Sequence, residues 1–200
     1  MQSEVFFVEK DIHRRDKTNY YLDLAEAVSQ RCTCLRRHYG AVIVKNDEVI
    51  STGYVGAPRG RANCIDIGYC YREKNVRVER NIPRGERYEL CRSVHAEANA
   101  IISAPRDKMI DATLYLVGKE VSTGDYVKNA VCCSMCKRMV INAGIARVIV
   151  RDDHDRFRDR CSGLDHKRRI HRRCIRLLSL TPLPRIRHKA RKEYGEHLCL

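Results

Sequence analysis

Residues 18–32 carry apolar side chains at the three- and four-residue spacing that brings them onto one face of a helix. The members of this face are Tyr21, Leu24, Ala25 and Val28. The segment therefore predicts an amphipathic helix near the start of the chain.

Shorter apolar runs follow and predict strands. The segment GAVIVKNDEVISTGY, residues 40–54, has two such runs around Asn46 and Asp47 and predicts a β-hairpin. Residues 112–117 (ATLYLV) and 146–150 (ARVIV) predict two more strands. Because these strands alternate with helical segments, the sequence predicts an α/β domain whose sheet is covered on both faces.

The segment CRSVHAEANAII, residues 91–102, is apolar at most positions after Ser93 and rich in alanine. This pattern predicts a buried helix with Ser93 as its N-cap and with His95 and Glu97 in its first turn. A buried glutamate is costly unless a neighbouring group compensates its charge or keeps it protonated. Two interpretations stay open here: a hydrogen-bonded core histidine beside a solvated glutamate, or a site that holds a cation.

A second segment, AVCCSMCKRMVINAGI at residues 130–145, bears on this choice. Cys133 and Cys136 precede a helical pattern that ends near Gly144. Backbone N–H groups and the helix dipole stabilise thiolates at such a position. A C-x-x-C pair is either a redox pair or half of a zinc site. One histidine and two thiolates leave the fourth tetrahedral position open for water, which is typical of catalytic zinc.

The two segments together resemble the signature of zinc-dependent cytidine and deoxycytidylate deaminases, H-x-E followed by P-C-x-x-C. The INAGI helix end is also similar to deoxycytidylate deaminases. The resemblance covers about residues 18–152 and implies a three-layer α/β/α sandwich with a mixed central sheet. It further implies that His95, Cys133 and Cys136 hold the catalytic zinc and that Glu97 moves protons.

For the reaction, the resemblance implies hydrolytic deamination of a cytosine nucleotide, dCMP + H₂O to dUMP + NH₃. This chemistry would make the protein a hydrolase acting on a cyclic amidine C–N bond. The resemblance also implies a homo-oligomer with a small-molecule nucleotide as substrate. A nucleotide needs a phosphate contact, for which Arg59, Arg61 and Arg92 are the basic candidates near the zinc motif.

Two positions and one loop depart from the family pattern. Cys132 stands where the family has proline before the first zinc cysteine, and it is a candidate to compete for metal or to oxidise. Val55 in GYVG replaces an asparagine, which removes a polar contact that could set substrate choice. The loop from Gly118 to Val131 is longer than the family's usual strand-to-helix turn and is predicted to act as a lid.

The connection at about residues 55–92 contains a second cysteine set. Some deoxycytidylate deaminases carry a structural zinc in this region, and a metal would stabilise so long a connection. The predicted ligands are Cys34, Cys64, Cys70 and Cys91, with Cys32 as the alternative to Cys34. The other interpretation is a set of buried free thiols.

The net charge of +14 lies mostly at one end of the chain. Residues 160–200 carry 12 Lys or Arg and 3 Asp or Glu, a net +9. The sequence thus predicts a zinc domain over residues 1–158 and a basic tail over residues 159–200. Ile170, Cys174, Leu177 and Leu178 would fall on one apolar face of a possible helix in this tail. The tail is predicted to be a mobile extension, with docking on RNA, an anionic surface or an acidic partner as the alternatives.

No stretch of the sequence approaches the roughly 18 consecutive apolar residues of a membrane span, so no contact with a membrane is predicted. The eleven cysteines are an odd number, and several have metal-ligand spacing, which favours a reducing compartment over a disulfide scaffold. The expected location is therefore the cytoplasm.

Two rival functions remain. A tRNA adenosine deaminase is similar at both zinc motifs and would use the basic tail, but the long cysteine-bearing connection and the INAGI end favour the deoxycytidylate enzymes. A non-enzymatic zinc-stabilised binding module is the other rival. It is disfavoured because three ligands with a carboxylate beside them have little structural purpose.

Overall fold

A computed structural model describes residues 14–74 and 88–161. Its helices are α1 (Lys17–Ser29), α2 (Cys64–Ile67), α3 (residues 71–74), α4 (Ala96–Ile102), α5 (Arg106–Met109) and α6 (Ser134–Ala143). Its strands are β1 (Arg37–Lys45), β2 (Glu48–Tyr54), β3 (Thr113–Glu120), β4 (Arg147–Arg151) and β5 (Phe157–Cys161). A short 3₁₀ turn covers Tyr88–Leu90.

The five strands form one mixed sheet in the order β2-β1-β3-β4-β5. The pair of β3 and β4 is parallel, and the other three pairs are antiparallel. The predicted hairpin is confirmed, since β1 and β2 pair directly around Asn46 and Asp47. These residues have φ of 51° and 64°, the left-handed backbone that suits the twist of a two-residue hairpin.

The two faces of the sheet bury different side chains because successive residues of a strand point in opposite directions. One face packs against α1 and contributes Val42, Val44, Tyr115, Val117 and Ile149. The other face packs with residues of α4 and α6 and contributes Ala41, Ile43, Leu114, Leu116, Val148 and Val150. The predicted three-layer α/β/α sandwich with a mixed sheet is thereby confirmed.

Helix α1 begins after Asp16, whose carboxylate accepts a hydrogen bond from the backbone N–H of Asn19. The predicted apolar face contacts the sheet, although Leu22, which that face omits, is fully buried. The predicted end at residue 32 is wrong. The helix stops at Ser29, whose hydroxyl donates to the Glu26 carbonyl at 2.6 Å.

Two glycines allow helices to approach the sheet without an intervening side chain. A Cβ on Gly40 would lie 2.0 Å from the Ala25 carbonyl oxygen of α1. A Cβ on Gly53 would lie 2.3 Å from the Ala96 oxygen and the Ala100 nitrogen of α4. Any side chain at either position would force the backbones apart. Gly53 therefore fixes the distance between β2 and the first turns of α4.

A buried arginine connects β4 to α1. Arg151 is 1% exposed, and its guanidinium lies 2.7 Å from the Asp23 carboxylate and 3.0 Å from that of Glu26. It also donates to the Asn19 carbonyl oxygen at 3.1 Å. A buried guanidinium is tolerated when carboxylates pair with it in this way, so the cluster holds α1 on the sheet.

Strand β5 was not predicted, and it crosses the proposed domain boundary at residue 158. Because it pairs with β4, a shortened chain that keeps the sheet must extend through Cys161. The predicted apolar face of the tail, residues 170–178, lies outside the described residues, and the division into two parts stays a prediction. Within the described ranges, no helix has the length and apolar character needed to cross a bilayer.

Candidate zinc site and nucleotide cavity

His95 is the N-cap of α4, with extended backbone at φ −72° and ψ 156°. The predicted N-cap at Ser93 is wrong. The preceding residue, Val94, pairs with Gly56 in an isolated bridge, with N···O distances of 2.8 and 3.3 Å. Because the Val94 backbone forms this strand-like contact, the helix begins two residues later than predicted.

The second motif lies at the start of α6, where Cys133 is the N-cap. Its sulfur accepts a hydrogen bond from the Cys136 backbone N–H at 3.4 Å. The helix ends at Gly144, whose φ of 86° is the left-handed conformation common after a helix. The predicted helix, with C-x-x-C at its beginning and glycine at its end, is confirmed.

The two helix starts bring the predicted ligands together. His95 Nδ1 lies 3.4 Å from the sulfur of Cys133 and 3.4 Å from that of Cys136. All three ligand atoms lie within 4.8 Å of one another. With zinc bond lengths of about 2.0–2.3 Å, tetrahedral ligands are spaced at about 3.5 to 3.8 Å, so this donor set fits zinc with little movement.

The surroundings of Cys133 favour its thiolate. A hydrogen bond from the Cys136 thiol lowers the pKa of Cys133 well below its ordinary value, although burial acts in the opposite direction. Hydrogen bonds from His95 and from the Cys136 backbone N–H lower that pKa further. Since the thiolate is the form that binds metal, the local structure favours the metal-binding form of Cys133.

Glu97 is a fourth polar group beside this donor set. It lies in the first turn of α4 and is 4% exposed. Burial raises the pKa of its carboxyl, while the charge of His95 lowers it in part. Its oxygens do not belong to the mutually close group of three ligand atoms. It therefore lies near the three donors without belonging to their group, and its role in proton transfer stays a prediction.

A cavity of about 420 Å³ opens beside His95, Glu97 and Cys133. Its wall also contains Tyr39, Val55, Tyr88, Val131 and three arginines, which are Arg36, Arg37 and Arg72. A volume of this size accommodates a small-molecule ligand.

The arginines predicted to contact phosphate lie elsewhere. Arg59 and Arg61 are exposed and do not line the cavity. Arg92 is also absent from the lining, and its Nε donates to the Ala62 carbonyl oxygen at 2.8 Å. Sequence proximity to the zinc motif was the only basis for choosing these three residues. The arginines that do line the cavity come from the start of β1 and from α3.

The four cysteines of the predicted second site share one region. Cys34, Cys70 and Cys91 line the same cavity, and Cys64 is buried 3.7 Å from the Ser93 hydroxyl. Burial first, and then the charges of the other three cysteines, raise the pKa of the Cys64 thiol. Cys32, by contrast, donates to the Tyr39 carbonyl oxygen at 3.0 Å. In the part of the chain that the structure describes, only the His95 group brings its ligand atoms within metal-binding distance.

Comparison with known proteins agrees with this geometry. Residues 15–151 match the family described as the cytidine and deoxycytidylate deaminase zinc-binding region. The chain belongs to this family. It is 35% identical over 136 residues to the deoxycytidylate deaminase of Mycobacterium phage D29, a match that covers 68% of this chain and 94% of that protein.

Two further deaminases show the spread of the family. The deoxycytidylate deaminase of Saccharomyces cerevisiae is 33% identical over 132 residues, which is 66% of this chain but only 36% of the yeast protein. The chain is 24% identical in sequence to the dCMP deaminase from the cyanophage S-TIM5, whose crystal structure is known in complex with dCMP and dUMP. That match has a TM-score of 0.47 and covers 70% of this chain and 85% of the phage chain.

The unusual Cys132 of this deaminase is 6% exposed and packs in the same core cluster as Cys133 and Cys136. Burial and then the charge of Glu97 raise the pKa of its thiol well above the ordinary value. The thiol and the Glu97 carboxyl lie close enough for each to shift the pKa of the other. Cys132 thus lies near the carboxyl and outside the group of metal donors, a position that the sequence did not predict.

The structure also places Val55 and the loop at residues 118–131, the other two departures from the deaminase pattern. Val55 is 7% exposed and gives the cavity an apolar surface where the family has asparagine. The predicted loop at residues 118–131 is partly strand, since β3 continues to Glu120 and a bridge pairs Lys119 with Tyr126. Of that segment, Val131 lines the cavity. Its action as a lid stays a prediction.

Proposed function

We propose that this protein deaminates a cytosine nucleotide, converting dCMP and water to dUMP and ammonia. The observation that carries the proposal is the convergence of His95, Cys133 and Cys136 beside a buried, non-ligand Glu97 in the wall of one cavity. The phage D29 and yeast relatives, both deoxycytidylate deaminases, support the choice of substrate.

His95, Cys133 and Cys136 would hold the zinc, whose chemistry when bound is to lower the pKa of water to about 7. Glu97 accepts a proton from the attacking water as its oxygen forms a bond to C4 of cytosine. The same carboxyl delivers that proton to ring N3, then takes the second proton from the new C4 hydroxyl and gives it to the departing amine. The C4–N4 bond breaks, and ammonia leaves. Burial of Glu97 keeps competing solvent away from this proton transfer.

The substrate is tested by comparing kcat/KM for dCMP, deoxycytidine and a tRNA adenosine substrate, with ammonia release as the common measurement. We expect dCMP to be preferred over both, because the cavity that contains Glu97 is rich in arginine. A preference for deoxycytidine would contradict the nucleotide assignment. A preference for the tRNA would favour the rival adenosine deaminase, and no deamination of any substrate would favour the binding module.

A second, structural zinc is part of the proposal. Its ligands would be Cys64, Cys70, Cys91 and Cys34, with Cys32 as the alternative to Cys34. Two observations support the set: Cys34, Cys70 and Cys91 line one cavity, and the charges of these three raise the pKa of the Cys64 thiol. The hydrogen bond of Cys32 to a backbone carbonyl favours Cys34 as the fourth ligand.

Replacement of Cys64 by serine tests this site. We expect the purified protein to lose one of two zinc ions per chain and to unfold at a lower temperature, because closed metal sites contribute folding free energy. Metal analysis and thermal unfolding on the same sample measure both effects. Cys32→Ser is the matched variant and should keep two ions. One zinc per chain in the wild type, unaltered by Cys64→Ser, would contradict the second site.

Assembly and location complete the proposal. A homo-oligomer and a cytoplasmic location remain predictions from the resemblance and from cysteine usage. Light scattering of the zinc-loaded protein measures its oligomeric state directly. The basic tail has nucleic acid as its less favoured predicted partner. Its role is tested by measuring folding, deamination of free dCMP and nucleic-acid binding for the full chain and for one that ends after Cys161.

A further inference from the structure

The segment that leads into the zinc cysteines is irregular in structure. Residues 130–133 follow a turn at residues 128–129, and α6 begins at Ser134. Asn129 has a φ of 54°, the left-handed conformation, so the chain changes direction immediately before this segment. Because no ladder of helix or strand hydrogen bonds holds residues 130–133, the position of Cys133 depends on the individual contacts that this segment makes.

Strand β5 supplies a side chain on the same face of the sheet as the zinc cysteines. In the antiparallel pair of β4 and β5, Arg158 lies opposite Val150. Residues opposite each other in such a pair place their side chains on the same face. Val150 is 1% exposed and packs in the core cluster that contains Cys136. The Arg158 side chain therefore extends toward the α6 side of the sheet.

Arg158 reaches the backbone of the irregular segment. Its Nη2 donates a hydrogen bond to the carbonyl oxygen of Ala130 at 3.0 Å, and Ala130 is 2% exposed. The same guanidinium pairs through Nε and Nη2 with both carboxylate oxygens of Asp152, the residue that follows β4. A bidentate pair of this kind fixes the direction of the guanidinium, which has enough N–H groups to donate to the carbonyl as well.

The contact at Ala130 bears on the geometry of the metal donors. Cys133 ends the irregular segment, and its sulfur lies 3.4 Å from Nδ1 of His95. A shift of the Ala130 backbone would be passed along this short segment to the Cys133 sulfur. Metal affinity depends on the groups that hold the ligands in place as well as on the ligands themselves.

We propose that Arg158 is a positioning residue for the zinc site. Its hydrogen bond to Ala130 holds the segment before Cys133 in the arrangement that retains the metal. This inference rests on the proposed zinc site at His95, and it goes beyond the deamination reaction because Arg158 does not line the cavity. The match to the deaminase family ends at residue 151, so β5 would contribute to metal retention from outside the matched region.

The test is the rate at which the zinc-loaded full chain releases zinc to an excess of a chromogenic chelator, at a temperature where circular dichroism shows each variant to be folded. Arg158→Met removes the donors and keeps an unbranched side chain. We expect it to release the zinc of the His95 site about 10-fold faster than the wild type. Arg158→Lys retains one cationic donor and should restore most of the slow release. Cys133→Ser identifies the phase of release that belongs to this site, because that phase should be missing.

Arg156→Met is the matched control. The Arg156 side chain is 81% exposed and pairs with Asp153 in the turn between β4 and β5, so this variant should release zinc at the wild-type rate. An unaltered rate in Arg158→Met, or the same acceleration in Arg156→Met, would overturn the inference. Equal rates in Arg158→Met and Arg158→Lys would do the same. A lower unfolding temperature with an unaltered rate of release would show that Arg158 stabilises the fold only.

A second variant keeps the inference testable if Arg158→Met does not fold. Asp152→Asn removes the charge that orients the guanidinium, so it should accelerate zinc release in the same direction by a smaller factor. Release at the wild-type rate in that variant would contradict the role of Arg158. Zinc release needs no substrate. A wild-type chain that releases zinc slowly but deaminates no nucleotide would therefore contradict the proposed function and not the role of Arg158.

Discussion

Replacement of Glu97 by alanine is expected to lower kcat by about 10²- to 10⁴-fold while the protein keeps its zinc at the His95 site. The reason is that Glu97 is buried beside the metal donors without being one of them, so its loss removes proton transfer and leaves the three ligands in place. Glu97→Gln should show the same loss, since an amide of similar shape cannot exchange the proton. Zinc content and ammonia release from dCMP, measured on one sample, provide the test.

The control for this experiment is Glu48→Gln, which removes an exposed carboxylate at the start of β2. It should behave as the wild type. If zinc disappears together with activity in Glu97→Ala, the residue is a ligand. If activity persists, the proton-transfer role assigned to Glu97 is wrong.

Replacement of Arg151 by methionine is expected to lower the free energy of unfolding by about 1–3 kcal/mol. It removes the buried partner of Asp23 and Glu26, although Asp23 keeps Arg15 and Glu26 keeps Lys119. Arg147→Met is the matched variant on the same strand. Arg147 pairs with Asp159, but its side chain is 55% exposed, and surface pairs contribute about 0–1 kcal/mol. Urea unfolding of the zinc-loaded proteins measures both changes.

Equal effects of the two substitutions would contradict the structural role of the Arg151 cluster. Arg151 lies on the α1 side of the sheet, among the residues that pack with Ile149, and the zinc donors lie on the other side. The Arg151→Met protein that remains folded at low temperature should therefore deaminate dCMP at the wild-type rate. A lower rate under those conditions would show that the two faces of the sheet are coupled.

The sequence predicts the parts of this molecule that depend on local chemistry. The turn pair Asn46 and Asp47 fixes the hairpin, and the spacing of Cys133 and Cys136 before a helix fixes half of the metal site. The motif containing His95 supplies the rest. These features depend on residues close together in the chain, and the structure places them as expected.

Features that depend on distant partners were not predictable in this way. The start of α4 moves from Ser93 to His95 because Val94 pairs with Gly56, a contact between segments far apart in sequence. Strand β5 is rich in charge and has no apolar pattern, so its pairing with β4 could not be read from periodicity. The place of Arg72 in the cavity wall depends on packing against Tyr88, across residues 75–87.

The contact of Gly53 with α4 has a mechanical consequence. β2 is an edge strand of the described sheet, and at this point its backbone meets the backbone of the helix that holds Glu97, with no side chain between them. No rotamer change can absorb a displacement there, because closely packed backbones transmit strain. A force applied to the outer edge of β2, such as a partner seated on that strand, would shift the Glu97 carboxylate relative to Cys133 and Cys136. A displacement at the edge of the sheet is thus transmitted to the helix that bears Glu97.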